Sequence, residues 1–99
     1  MYWSTTVFRV QGFTPTLEDA LRNWERHIKE SHSQVKEVRS YTRFGGTTVI
    51  WQEGFLNFHD YQDLIGAVDA TCDSVMAAVF QHEIPGGRES GIWSDALKA

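Results

Sequence analysis

The sequence predicts an α+β fold in the order β-α-β-β-α-β, an antiparallel sheet with its helices on one face. Three observations predict it. Two alternating, strand-like runs at residues 36–44 and 47–55 flank Gly45-Gly46, a hairpin signal because the favoured two-residue turn needs positive φ at both positions. One amphipathic helical stripe precedes that hairpin and another follows it. A short alternating run stands near each end of the chain, WSTTVFRVQ at 3–11 and RESGIWSDAL at 88–97.

The elements follow in order. In the first strand Phe8 and Val10 share one face, and Val7 and Arg9 the other. GFTPT is a turn. Thr16 is expected to cap a helix, with Asp19 as a weak capping-box partner. In that helix Leu17, Ala20, Leu21, Trp24 and Ile28 make one apolar stripe, while Glu18, Arg22, Glu25, Arg26 and Lys29 take the wet face. The glycine turn sets the hairpin register: Phe44 opposite Thr47, Thr42 opposite Val49, Ser40 opposite Trp51, Val38 opposite Glu53. The face with Val38, Ser40, Thr42 and Phe44, and with Val49, Trp51, Glu53 and Phe55, is expected to point at the core. The opposite face, with Arg39, Tyr41, Arg43, Thr48, Ile50 and Gln52, suits water or a subunit contact.

Asn57 reads as the next N-cap, followed by a stripe of Phe58, Tyr61, Leu64, Ile65 and Val68. The pattern blurs at Asp69-Ala70-Thr71, and a further short helix is expected at 73–82, with Val75, Met76, Val79 and Phe80 inward. Pro85-Gly86-Gly87 stops it, and the last run closes the sheet with Ile92 and Trp93 on opposite faces. This is the ferredoxin-like, split-βαβ order with its second helix broken. Helices on one face leave the other bare. In a chain of 99 residues the simplest cover is the sheet of a second copy, so a homodimer is expected.

Residues 1–99 read as one domain. Apolar residues make up 41% and aromatics 13%, enough for a packed core. The net charge is −4 and the nine basic residues are scattered, so a nucleic-acid footprint is not expected. One cysteine, Cys72, allows no internal disulfide and fits a reducing compartment. MYWSTTVFRV lacks the marks of a signal peptide and no run is long and apolar enough for a membrane, so a cytoplasmic location is expected.

The stretch Glu53-x-Phe55-x-Asn57 followed by Asp60-Tyr61, at the passage from a strand into a helix, resembles a motif of the dimeric α+β barrel superfamily. It is similar to the antibiotic-biosynthesis-monooxygenase-like and NIPSNAP-like branches, and Ser90-x-Ile92-Trp93…Leu97 is similar to the closing strand of the NIPSNAP-like branch. The resemblance implies a homodimer whose two sheets form a barrel, with a small-molecule cleft between sheet and helices in each subunit. It also implies chemistry such as cofactor-independent oxygenation, polyketide cyclisation or isomerisation. Haem-degrading members carry a Trp in the second helical region, which this chain lacks.

The candidate site residues follow from chemistry. Glu53 is a carboxylate on an apolar strand face: a general acid or base at a pocket edge, or else a strand-end anchor. His27, at the edge of the first helical stripe, and His82, beside the loop after the last helix, are the candidate proton carriers. Trp24, Trp51 and Phe55 are candidates to contact an aromatic substrate, with Tyr61, Tyr41 and Arg43 to hold an oxygen; the last two count only if the hairpin faces the other way. No metal and no cofactor are expected. There is no His-Glu-x-x-His, and His27 and His32, five apart, would sit about 140° apart around a helix. Cys72 reads as a small buried residue, and Arg88 as a candidate anion contact. The expected function is a small-molecule enzyme doing cofactor-independent proton-transfer chemistry on an aromatic or polyketide-like substrate. The alternative is a non-catalytic binding or interaction module of the same fold.

Overall fold

The computed structural model describes residues 1–67 and 69–97. Its elements are β1 (Tyr2–Arg9), α1 (Pro15–Ser31), β2 (Glu37–Thr42), β3 (Thr48–Phe55), α2 (Phe58–Gly66), α3 (Ala70–Phe80) and β4 (Glu89–Ser94). The strands form one antiparallel sheet ordered β2-β3-β1-β4. That is the ferredoxin-like α+β arrangement, with α2 and α3 replacing a single second helix. Val68, the last residue of the predicted second stripe, lies outside the described residues.

The hairpin register is the expected one: Val38 pairs with Glu53, Ser40 with Trp51 and Thr42 with Val49. The turn is wider than expected. Pairing ends where the Arg43 N–H donates to the Thr48 carbonyl at 3.0 Å, and the Gly46 N–H donates back to the Arg43 carbonyl at 2.7 Å. Phe44 is left fully exposed, instead of facing the core opposite Thr47. Ser40 and Thr42 are exposed as well, because β2 is an edge strand that α1 barely covers. Val38 is the only one of the four predicted core-facing β2-side residues to pack on the core.

The first helix starts two residues earlier than predicted. Thr14, not Thr16, is its cap, with Oγ1 accepting the Leu17 N–H at 3.2 Å. Pro15 explains the shift: its fixed φ suits the first helical position, where a missing N–H costs nothing. Asn57 caps α2 as expected, its Oδ1 accepting the Asp60 N–H at 2.9 Å. Only Leu64 of the second stripe is fully buried; Phe58 and Ile65 are exposed. The last helix begins at Ala70 instead of 73, because the Asp69 carboxylate caps it by accepting the Cys72 N–H at 2.7 Å. Cys72 therefore lies in the first turn of α3 and not in a break. The closing strand is shorter than residues 88–97.

The core lies between the sheet and the helices. Phe8, Val49, Trp51 and Phe55 rise from β1 and β3, and Leu17, Leu21, Trp24 and Ile28 descend from α1. Val79 of α3 joins them. Burying each large apolar side chain contributes about 1.5–3 kcal/mol, so this layer supplies most of the driving force. Among the described residues no helix covers the opposite sheet face. Trp3, Val7, Ile50 and Tyr41 alternate onto that face, and Trp93 pairs with Trp3 there. Gly54 shapes it: a Cβ at that position would meet Met1 Sδ at 2.7 Å and the Trp3 ring at 3.0 Å. The Arg39 guanidinium lies 4.4 Å over the same Trp3 ring.

Candidate active site

Alternation along β3 sends Trp51 and Glu53 into the layer beneath the helices. Trp24 of α1 lies flat on Trp51, with ring centroids 3.9 Å apart and 3° between planes. Phe80 stands edge-on to Trp24 at 5.8 Å and to Phe8 at 5.1 Å. Beside this aromatic group opens a cavity of about 210 Å³. Thr6, Trp51, Glu53 and Ser90 line it from the sheet. Ile28, Leu64, Cys72 and Met76 line it from the three helices. An apolar cavity of about 150 Å³ holds one benzene, so this one takes a single substituted ring.

Glu53 is the polar group in that wall. It is 8% exposed, and no basic side chain among the described residues forms a salt bridge with it. Burial disfavours the carboxylate and pushes its pKa up to about 7, which the nearby Trp51 indole N–H, outside hydrogen-bond geometry, only partly opposes. The indole nitrogens of Trp24 and Trp51 are both buried with no hydrogen-bond partner among the described residues. Arg88, half exposed, forms part of the cavity rim. Its guanidinium sits 4.1 Å over the Phe80 ring and donates to both Glu83 oxygens, at 2.8 and 2.5 Å. That pairing holds the Glu83 carboxyl below its ordinary range.

The structure brings Trp24, Trp51 and Glu53 of the predicted site together around the cavity. The others fall elsewhere. Tyr41 and Arg43 are exposed on the opposite side of the hairpin, because its facing is the predicted one and not its inverse. Phe55 is buried core, packed edge-on against Tyr61 at 5.6 Å, and neither is part of the cavity lining. His82 lies past the end of α3, beside a separate shallow depression with Gln11, Gly12 and Thr14. His27 turns toward the start of α3, with Nε2 3.6 Å from Asp69 Oδ1 and Nδ1 3.5 Å from Ser31 Oγ.

One expectation about metal ligands is overturned. His27 and His32 do meet, with ring centroids 5.4 Å apart. The 140° separation holds only within a helix, and His32 is the residue where α1 ends, at φ −132° and ψ 83°. The cavity residues that sequence reasoning missed come mostly from α2 and α3. Their periodicity marks them as inward-facing, without distinguishing a filled core from a cavity wall.

No family model matches the sequence, and no curated protein matches it. Solved structures do match. SnoaB, a cofactor-independent oxygenase from Streptomyces nogalater solved as a mutant, has a TM-score of 0.76 at 8% identity, covering 98% of this chain and 94% of that one. A monooxygenase from the gene ActVA-Orf6 of Streptomyces coelicolor, in complex with nanaomycin D, has a TM-score of 0.71 at 14% identity, covering 99% and 89%. An uncharacterised NIPSNAP domain protein from Burkholderia xenovorans has a TM-score of 0.64 at 13% identity, covering 100% and 98%. The chain therefore shares the ferredoxin-like α+β fold of these proteins, the fold its sequence led us to expect. At these identities the likeness is one of fold. No helix among the described residues is long and apolar enough to cross a membrane.

Proposed function

We propose that this chain is a small-molecule enzyme that uses Glu53 to move a proton on an aromatic or polyketide-like substrate. The observation that carries the reading is a buried carboxyl with a pKa of about 7 in the wall of a ring-sized cavity beside stacked indoles. A base poised near neutrality takes a proton and returns it with little driving force lost either way. Trp24 and Trp51 cover one face of each other, and the side of that stack toward the cavity suits a planar ring, with the unpartnered indole N–H groups as donors for its oxygens. Arg88 lines the cavity where Tyr41 and Arg43 do not; its charge is paired with Glu83, so what it offers a substrate oxygen is its remaining guanidinium N–H groups. Deprotonating a phenol leaves an electron-rich anion that gives an electron to dioxygen. Recombination forms a ring hydroperoxide, which loses water to leave a quinone. One oxygen atom stays on the substrate, the other leaves as water, and all the electrons come from the substrate with no bound cofactor. Cyclisation and isomerisation need only the proton transfer. The cofactor-independent oxygenase among the structural neighbours supports this class of chemistry.

The same reading makes the protein a cytoplasmic homodimer. The open sheet face, with Trp3, Trp93, Ile50 and Tyr41, is the surface for the second copy, whose sheet would complete the barrel. The test of the site is a thermal-shift screen with planar phenols and quinones. Binding the native state at a hundredfold excess over Kd stabilises it by about 2.7 kcal/mol. A rise in Tm of several degrees is expected, lost in a folded Trp51→Ala protein and accompanied by turnover that Glu53→Gln abolishes. Binding with no turnover by any phenol would make it a binding module. No shift with any aromatic ligand would remove the cavity from consideration as a site.

A further inference from the structure

Behind the α3 wall of the cavity, the end of α1 meets the start of α3. Three side chains with metal-binding chemistry converge there. One donor atom each from His27, His32 and Cys72 lies within 4.8 Å of the others. Local structure explains the convergence. His32 leaves the helical path at the end of α1, and its ring stands at 81° to that of His27. Cys72 is held in the first turn of α3 by the Asp69 cap. The group is sheltered: His32 is 4% exposed and Cys72 3%. The Nε2 atoms of His27 and His32 are both buried without a hydrogen-bond partner among the described residues. Buried polar atoms are nearly always paired, so two unsatisfied imidazole nitrogens beside a thiol point to an absent ligand that accepts lone pairs.

We propose that His27, His32 and Cys72 bind a single thiophilic transition-metal ion, Zn(II) being the one this donor set suits. Imidazole nitrogens bind zinc at about 2.0–2.1 Å and thiolate sulfur at about 2.3 Å, which in a tetrahedron spaces the donors by about 3.6 Å. The observed cluster has to close by roughly an ångström to reach this. Asp69, whose Oδ1 is 3.6 Å from His27 Nε2, is the nearest further donor for the fourth position. On binding, the Cys72 thiol gives its proton to solvent, and a Zn–S bond replaces the weak Sγ–H contact with Met76 Sδ at 3.8 Å. No electron is transferred. The ion ties α1 to α3 immediately behind the cavity, since Cys72 and Met76 also line it. The inference does not depend on Glu53 acting as a base. It does take His27 out of proton transfer, because a ligated imidazole nitrogen has no free lone pair.

The test is a titration of the reduced, metal-free protein with Co(II) as a spectroscopic probe for zinc. One equivalent is expected to produce the visible bands of a four-coordinate ion and a near-ultraviolet thiolate-to-cobalt band, both bleached by Zn(II). Cys72→Ser abolishes the thiolate band. His32→Gln weakens binding by more than the roughly 10–100-fold loss typical of a merely supporting residue. A thiolate band that is absent, or that survives Cys72→Ser, overturns the proposal. Should the variants fail to fold, the unaltered protein still decides: Zn(II) must raise its Tm, and no rise counts against the site.

Discussion

At the scale of a single residue, Glu53 carries the proposed chemistry. Its folded pKa of about 7 lies above the 4.5 of the free side chain, so between those values the folded protein holds a proton that the unfolded chain releases. Stability attributable to this group is therefore greatest at low pH and falls as pH rises from about 4.5 through 7, by on the order of 3 kcal/mol in all. Denaturant unfolding at pH 5 and pH 8 should show this loss in the wild-type protein and a flatter profile in Glu53→Gln, which cannot ionise. Parallel profiles for the two proteins would mean that Glu53 titrates normally. Turnover of a substrate should fall by about 10²–10⁴-fold in the same variant, the usual worth of a positioned acid or base. The sequence showed this residue as an oddity, a carboxylate between Trp51 and Phe55 on an apolar face. It could not show how deeply the packed layer buries the carboxyl, which is what raises the pKa.

At the scale of the element, caps and turns place the site. Asn57 starts α2, which supplies Leu64 and Ile65 to the cavity wall. Asn57→Ala should cost about 1 kcal/mol, read as a lower denaturant midpoint at an unchanged m-value. Gly46 takes φ +74° in the β2–β3 turn, and a Cβ there would meet the Phe13 backbone nitrogen at 3.1 Å. Gly46→Ala should cost about 1–2 kcal/mol from the left-handed backbone alone. Equal stability of that variant would mean that the turn relaxes. These elements were the most legible part of the sequence. The β2–β3 register came out as read, because the twofold alternation and the glycine pair are local. The misreadings were also local: Thr14 rather than Thr16 as a cap, and Asp69 recruiting Ala70, Thr71 and Cys72 into α3. Both were cap competitions between neighbouring residues, which differ by about a kcal/mol or less.

At the scale of the whole molecule, the proposed dimer rests on the sheet face opposite the helices. Trp93 is more than half exposed there, beside Trp3. If that face is the dimer interface, Trp93→Glu places a charge in an apolar contact and should convert the dimer to monomer in sedimentation velocity, leaving the secondary structure intact. A wild-type protein that sediments as a monomer at all concentrations would remove the barrel from the proposed function.

The sequence by itself determined the order of elements, the pairing of β2 with β3 and the inward direction of Trp24, Trp51 and Glu53. Those properties follow from periodicities of two and 3.6 residues, which any short window displays. Only the tertiary structure decided that a cavity remains between the stacked indoles and α3, that His82 stands away from it, and that His27, His32 and Cys72 converge. These depend on how α3 packs against α1 across some forty residues of chain. No local pattern encodes that distance, because it is set by the volumes of side chains that meet only after folding.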